Sequence, residues 1–316
     1  MADAEALLRA AKRPLVIGMG GGGDVVGALA TAELQRLYDG GDPLVGGISW
    51  ERRPIDPVPG PRRVDEIEGG EPLAPGVLLA GPRTRALGRE MYFAEARMAA
   101  FLGRPTVLVT IDDGPAAVAD GLAGAIDHLD RDLLVLVDVG GDVLAYGDEP
   151  GLRSPLCDAV LLAAAQCLVA RGMPVLLGLF GTGCDAELTP DEVLARLADV
   201  AAAGGLAGAR GLTEVVAERL ERCIELVPTE ASAQAVRAFR GVRGDVTIRG
   251  GARTLELSTV ASLTFYLDVE VTYEVVGRLA AAVSGAASLA EANAALGALG
   301  VYTELDLELE AAARSQ

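Results

Sequence analysis

The sequence contains a single lysine, Lys12, and a single histidine, His128. Lys12 precedes the first predicted strand, so the chain lacks the lysine of a Walker A loop, of a Schiff-base enzyme or of a kinase strand. Catalysis by a serine or cysteine with a histidine base would depend on His128, which falls near the end of a predicted helix. The chemistry of this chain therefore has to come mainly from carboxylates and arginines.

Basic residues are also scarce, with 27 lysines and arginines against 45 acidic residues, a formal net charge of −18 and a pI near 4.5. Nucleic-acid backbones and anionic membrane surfaces require a basic face, so we expect neither as a partner. Apolar runs such as 159–165 fall well short of the ~20 residues that span a bilayer, and the N-terminus shows no signal-peptide pattern. We therefore expect a cytoplasmic protein.

Four cysteines, at positions 157, 167, 184 and 223, form no CxxC pair and no zinc-binding spacing with a histidine. This pattern predicts free thiols rather than a disulfide framework. Cys157 lies at the start of a predicted helix, where a thiolate is favoured, and Cys184 lies in a glycine loop. Each can be interpreted as a nucleophile or, more simply, as a buried thiol.

Strand and helix patterns alternate over the first two-thirds of the chain. Nearly continuous apolar runs predict strands that are buried on both faces, at 14–19, 43–49, 76–80, 106–111, 133–139 and 174–180. Helical patterns lie between them, at 25–38, 84–102, 116–129, 155–171 and 190–203. These repeated units imply an α/β fold with a doubly wound, mostly parallel, Rossmann-like sheet.

The pattern changes after residue 203. The glycine-rich stretch 204–211 predicts a flexible break, followed by helices at 213–225, 229–239, 273–283 and 289–299 and strand-like segments at 245–248, 254–257 and 264–271. Alternation with period two at 302–309 predicts an edge strand. We expect residues 1–212 to form the Rossmann-like domain with the glycine-loop site, and residues 213–316 to form a smaller α+β part packed against it.

Three of the predicted strands run into glycines and aspartates. The three loops contain, in order, Gly20, Gly21, Gly22, Gly23 and Asp24; Asp138, Gly140, Gly141 and Asp142; and Gly181, Gly183, Asp185 and Glu187. In open α/β sheets ligands lie beyond the carboxyl ends of the strands, where glycines let backbone amides approach. We expect the loops to form one site, with their glycines binding the ligand.

The aspartates of these loops suggest a metal site. Neighbouring strand ends are ~5 Å apart, and unpaired carboxylates at that separation raise one another's pKa or recruit a divalent cation, here Mg²⁺ or Mn²⁺. The candidate catalytic residues are Asp24, Asp138, Asp142 and Asp185, of which Asp24, Asp142 and Asp185 are also the candidate metal ligands. The alternative is that each aspartate only satisfies the amides of its own loop.

The first glycine loop also fits the pattern G-x-G-x-x-G at 18–23, between a predicted strand and a helix. Glu51, after the second strand, takes the place of a ribose-binding acid, although it comes later than the usual ~20 residues. These features favour NAD(P) or a flavin dinucleotide as an alternative cofactor. Asp24 complicates this alternative, because its carboxylate competes with a phosphate for the same amides unless a cation lies between them; a tight turn in which Asp24 only caps the helix is the simpler interpretation.

A proline-stiffened loop at 50–63 follows the second strand and carries four arginines. Arginine forks suit phosphate and carboxylate groups. We assign Arg52 and Arg62 to ligand binding, against the alternative of a solvated surface loop.

The sequence resembles the family catalogued as domain of unknown function 1152. The resemblance is carried by 20–27, by Trp50-Glu51-Arg52 with Asp56-Pro57 and 60–62, and by 138–142, and it extends over about 14–309. The family has no established activity. The resemblance therefore implies a shared site at these loops and no particular chemistry.

Two classes of function follow. The first is an enzyme that acts on a small phosphorylated or nucleotide-like anionic metabolite at the glycine loops, with a divalent metal ion; an NAD(P)- or flavin-dependent enzyme is its variant. The second is a non-catalytic metabolite-binding or regulatory protein. Several carboxylates within metal-ligand distance favour catalysis, whereas a pocket of amides and arginines alone favours binding. Assembly into a homo-oligomer is left open.

Overall fold

The computed structural model describes residues 3–314. The helices are α1 (Ala4–Ala10), α2 (Val25–Asp39), α3 (Ala94–Leu102), α4 (Gly114–His128), α5 (Pro155–Ala170), α6 (Pro190–Ala202), α7 (Glu214–Ile224), α8 (Ala231–Phe239), α9 (Val269–Val276), α10 (Arg278–Val283), α11 (Leu289–Ala298) and α12 (Glu304–Arg314). The strands are β1 (Leu15–Gly18), β2 (Leu44–Ile48), β3 (Ile67–Ala74), β4 (Val77–Ala86), β5 (Thr106–Val109), β6 (Leu134–Val139), β7 (Val175–Phe180), β8 (Leu206–Gly211), β9 (Gly244–Ile248), β10 (Arg253–Leu257) and β11 (Leu263–Asp268). None of the helices within this range is both long and apolar enough to cross a bilayer.

Within residues 3–314, nine strands form one mixed sheet in the order β3-β4-β5-β2-β1-β6-β7-β11-β8. The five central strands, from β5 to β7, are parallel to one another. Antiparallel pairs extend both edges, and β9 and β10 form a separate two-stranded sheet. The predicted α/β fold with a mostly parallel sheet is confirmed.

The central strands are buried on both faces, which explains their continuous apolar sequences. In β1, Leu15 and Ile17 belong to the hydrophobic core that includes α4 and α5. Val16, between them, belongs to the opposite core, which includes α2 and α7. Successive side chains of a strand point to opposite faces, so both layers of helices are held by the same short strands.

The C-terminal part of the chain contributes a strand to the main sheet. β11 lies between β7 and β8 and pairs with both of them. The predicted flexible break at 204–211 is therefore wrong: it contains β8, which is formed by pairing with a partner more than 50 residues later in the sequence. The division at 212/213 stays a prediction, but the two parts share one sheet.

Two further predictions of local structure are wrong. The helix predicted at 84–102 begins only at Ala94, because β4 continues to Ala86 through its pairing with the glycine-rich strand β3, and β4 is antiparallel to its neighbours. The edge strand predicted at 302–309 lies mostly in helix α12. Glu304 and Glu308 are buried one helical turn apart, whereas Leu309 is exposed, so the alternation of leucines does not mark the buried face.

Candidate functional site

The three glycine loops open on one cavity. Their strands, β1, β6 and β7, are neighbours in the sheet, and the cavity beyond their carboxyl ends has a volume of about 770 Å³. Besides these loops, its lining includes residues that follow β2, the first turn of α5, the segment before α8, the tip of the β9–β10 hairpin and α12. The site therefore combines segments from both halves of the sequence.

Buried carboxylates form two groups at this cavity. Oxygens of Asp138, Asp142 and Asp158 all lie within 4.8 Å of one another, and the same holds for Asp142, Asp185 and Glu187. Asp142 belongs to both groups. Asp158 comes from the first turn of α5 rather than from a glycine loop. The cluster of carboxylates expected from the sequence is therefore present, with a different membership.

The first group has unsatisfied oxygens. Asp138 and Asp158 are 0% and 1% exposed, and within the described residues none of their four carboxylate oxygens has a hydrogen-bond partner of normal geometry. A buried carboxylate without a partner is strongly unfavourable. A cation held by oxygen ligands supplies the missing charge and the missing contacts. The donor set of this group therefore fits Mg²⁺ or Mn²⁺.

Without a cation these carboxyl groups hold protons more tightly than usual. Burial raises the pKa of Asp138 to about 7, and polar contacts with the Asp142 side chain and the amide of Val143, which fall outside normal hydrogen-bond geometry, limit that rise. Burial, together with neighbouring carboxylates, raises the pKa of Asp142, Asp158 and Asp185 well above its ordinary value. The carboxyl groups of the cluster therefore retain protons to higher pH than exposed aspartates do.

In the second group, both carboxylate oxygens of Glu187 have hydrogen-bond partners. Its Oε2 accepts hydrogen bonds from the amides of Arg153 and Ser154, both at 2.7 Å, and its Oε1 accepts one from the Ser154 hydroxyl at 2.5 Å. The same Oε1 lies 3.2 Å from Nη1 of Arg253. Glu187 thus ties the third loop to the start of α5 and to the β9–β10 hairpin, and it has little capacity left for a metal ion.

Asp24 lies in neither group of carboxylates within residues 3–314. Its Oδ2 accepts a hydrogen bond from the amide of Gly20 at 3.0 Å, and burial, followed by the charge of Asp138, raises its pKa well above the ordinary value. Of the three metal ligands expected from the sequence, only Asp142 and Asp185 share a group. The carboxylate of the cluster that the sequence did not reveal is Asp158, whose signal is its place in the first turn of a helix that starts at Ser154-Pro155.

The glycines of the three loops make room for neighbouring side chains. A Cβ on Gly20 would lie 2.3 Å from Oδ2 of Asp24, and one on Gly23 would lie 2.5 Å from Cβ of Thr229. Only the first loop presents its glycines to the cavity, as Gly20–Gly23. The other predicted ligand-binding glycines, Gly140, Gly141, Gly181 and Gly183, are not part of the cavity lining.

The two arginines assigned to ligand binding have different positions. Arg52 lines the cavity, and its guanidinium lies 4.0 Å from the centroid of the Trp50 ring. Arg62 does not line it: Nε lies 3.0 Å from Oδ2 of Asp56, and Nη2 donates to the carbonyl oxygens of Val58, Pro59 and Gly60. We therefore assign Arg62 to the structure of its loop and retain only Arg52 as a ligand-binding candidate.

Glu51 lines the cavity, and its Oε1 accepts a hydrogen bond from the amide of Ala94 at 2.5 Å. Burial raises its pKa to about 7. The two candidate cysteines are buried and do not line the cavity: burial raises the pKa of Cys157 well above its usual value, and burial also raises that of Cys184. Both cysteines fit the interpretation as buried thiols.

The sequence model of one protein family, described as protein of unknown function (DUF1152), matches residues 15–312. No curated protein and no solved structure matches the chain. All of the carboxylates and arginines described above lie within the matched range.

Proposed function

Since the chain belongs to this family of proteins of unknown function, we propose a function from the geometry of the site. The protein is an enzyme that acts on a small phosphorylated or nucleotide-like metabolite with a divalent cation, Mg²⁺ or Mn²⁺, held by Asp138, Asp142 and Asp158. The observation that carries this proposal is the burial of the carboxylate oxygens of Asp138 and Asp158, to which the described residues donate no hydrogen bond of normal geometry, beside a cavity large enough for such a metabolite.

The residues around the carboxylates support catalysis rather than binding alone. A divalent cation here would neutralise charge on a phosphoryl oxygen and lower the pKa of a bound water molecule. Asp185 lines the cavity beside Asp142, and its raised pKa suits the exchange of a proton with the substrate or with water. Asp24 lines the same cavity and is the second candidate for that role.

The arginines at the cavity support an anionic substrate. Arg52, Arg53, Arg153 and Arg249 all contribute to its lining, in a protein whose net charge is −18. Guanidinium groups bind phosphate oxygens through charge-assisted hydrogen bonds. These four arginines lie among nine acidic side chains of the lining and supply the positive charge that a phosphorylated ligand requires there.

Calorimetry and thermal unfolding with Mg²⁺, Mn²⁺ and Ca²⁺ test the cation site. We expect a cation at 100 times its dissociation constant to stabilise the wild type by about 2.7 kcal/mol. Asp158→Asn should abolish this response without lowering stability in the metal-free state, because a buried carboxyl group is replaced by a neutral one. Asp127→Asn, on the exposed end of α4, serves as the matched control and should respond like the wild type. A wild type that responds to none of the three cations contradicts the proposal.

The alternative functions are distinguished in the same samples. Binding of NADH or FAD without a divalent cation would favour a dinucleotide-dependent enzyme, for which Gly20–Gly23 and Glu51 are suitably placed at the cavity. Binding of anionic metabolites that is indifferent to cations, with no turnover of any of them, would favour a regulatory binding protein.

A further inference from the structure

The side chain of Arg52 is held from several sides, but one of its terminal nitrogens has no hydrogen-bond partner within the described residues. Its Nη2 donates to the carbonyl oxygen of Gly20 at 2.7 Å and lies 3.3 Å from Oε1 of Glu304, while the guanidinium stacks on Trp50. Its Nη1 is buried and has no hydrogen-bond partner within the described residues. A guanidinium carries five N–H donors in a rigid plane, so the two N–H groups of Nη1 are held in place without an acceptor in a side chain that lines the cavity.

Helix α12 supplies the carboxylates that fix this arrangement. Glu304 accepts hydrogen bonds from the amides of Leu156 at 3.0 Å and Cys157 at 2.9 Å, at the start of α5. One turn later, Oε2 of Glu308 accepts hydrogen bonds from Nε1 of Trp50 at 3.0 Å and from the amide of Gly60 at 2.8 Å. The helix therefore fixes both the ion-pair partner of Arg52 and the ring on which Arg52 stacks.

The hydrogen bonds of Glu304 leave the Nη1 group of Arg52 available to another acceptor. Because the Glu304 carboxylate is shared between two helix amides and Nη2, it does not engage Nη1. Ordering an arginine side chain costs conformational entropy. The Arg52 side chain is already ordered when the protein folds and α12 packs in place. Ligand binding therefore does not incur this loss of conformational entropy.

We propose that Glu304 and Glu308 are positioning residues that hold Arg52 so that its Nη1 binds a phosphoryl oxygen of the ligand. The inference rests on the proposed function, because it assigns the anionic part of the same ligand to a specific side chain. It makes the C-terminal helix part of the binding site.

A double-mutant cycle with pyrophosphate as the probe tests the coupling. Affinity is measured by calorimetry with and without Mg²⁺ for the wild type, Glu304→Gln, Arg52→Ala and the double variant. Arg52→Ala should weaken binding roughly ten- to hundredfold, the range of one charge-assisted hydrogen bond. Glu304→Gln should weaken it by about tenfold on its own and have no effect in the Arg52→Ala background, because it acts through Arg52.

Glu310→Gln is the control on the same helix, since Glu310 is exposed and pairs with Arg314. If Glu304→Gln fails to fold, Glu308→Gln replaces it in the cycle and should act through Trp50 with the same dependence on Arg52. Independent effects of the two substitutions in the double variant would overturn the inference. Unchanged pyrophosphate affinity in Arg52→Ala would also overturn the inference. The same holds if Arg52→Ala weakens the binding of citrate, a carboxylate ligand, without weakening the binding of pyrophosphate.

The outcomes separate this inference from the proposed function. A wild type that binds Mn²⁺ at the carboxylates but binds no pyrophosphate overturns the role of Arg52 and leaves the cation site. A wild type that binds pyrophosphate through an Arg52 positioned by Glu304, but responds to no cation, overturns the metal-dependent function and leaves the role of α12.

Discussion

Arg52 and Arg62 occupy the same loop and had the same predicted role, yet their partners differ. The side chain of Arg62 is 7% exposed, its Nε forms an ion pair with Asp56, and its Nη2 donates to three backbone carbonyl oxygens. Arg52 donates through Nη2 to Gly20 and Glu304, but its Nη1 has no hydrogen-bond partner within the described residues, and the side chain borders the cavity. At the scale of single residues, the number of acceptors supplied by the surrounding loop decides whether an arginine is available to a ligand.

Replacement of Arg62 should therefore affect stability rather than binding. We expect Arg62→Ala to lower the free energy of unfolding by about 3–5 kcal/mol, because Asp56 is left buried without its counter-ion. Arg63→Ala, whose side chain is 60% exposed, should change it by less than about 0.5 kcal/mol. Urea denaturation gives both values, and calorimetry should show that each variant binds pyrophosphate as the wild type does. Weakened binding in a fully stable Arg62→Ala variant would return Arg62 to the site.

At the scale of elements, the turn after β6 determines how closely the carboxylates approach. Gly140 has a φ of +128°, and a Cβ at this position would lie 2.2 Å from Cγ of Asp185. The third loop is therefore packed directly against the backbone of the second. Glycine serves here to bring two acidic loops together, and the contact it permits is between parts of the protein.

Substitution of Gly140 tests this packing. Gly172 provides the control, because its φ is also positive, at +80°, but a Cβ at this position would have no atom within 4 Å of it. Gly172→Ala should cost only the ~1–2 kcal/mol of a left-handed residue. Gly140→Ala should cost more and should also reduce the stabilisation by Mn²⁺, since Asp185 and its neighbours have to move. Equal losses of stability in urea, with the Mn²⁺ response unchanged in both variants, would contradict this role.

For the whole molecule, the gathering of buried acids at one cavity has a consequence for pH dependence. Burial raises the pKa of both Asp138 and Glu51 to about 7 and, outside the cavity lining, that of Asp112 to about 6. In the folded state these groups keep protons that the unfolded chain releases above about pH 4. Their contribution to stability is therefore complete at low pH and is lost as the pH rises through 6 and 7.

We expect the metal-free protein to be less stable at pH 8 than at pH 5. The difference should be at least about 1.4 kcal/mol, the equivalent of one pKa unit for one group. Urea denaturation in the presence of EDTA at pH 5, 6.5 and 8 measures it, and saturating Mn²⁺ at pH 8 should restore stability to the wild type but not to Asp158→Asn. A free energy of unfolding that stays constant or increases over this range would show that these carboxyl groups do not retain protons in the folded state.

The sequence alone determined the fold class and the edge of the sheet at which the site lies. Apolar runs such as 133–139 predict strands buried on both faces, because only such strands can lack polar residues over nearly their whole length. Glycines and aspartates at the ends of β1, β6 and β7 predict a common site, since the carboxyl ends of parallel strands share one edge. These inferences depend on local patterns, which a sequence displays directly.

Only the tertiary structure decided which side chains meet. β8 forms because β11 pairs with it, and Asp158 joins Asp138 and Asp142 because α5 starts beside their strand. The leucines of 302–309 alternate as they would in a strand, but Glu304 and Glu308 are buried because the amides of α5, the Trp50 ring and Arg52 provide their partners. The hydrogen-bond donors of a buried carboxylate come from segments far away in the sequence, so a local sequence pattern does not predict them.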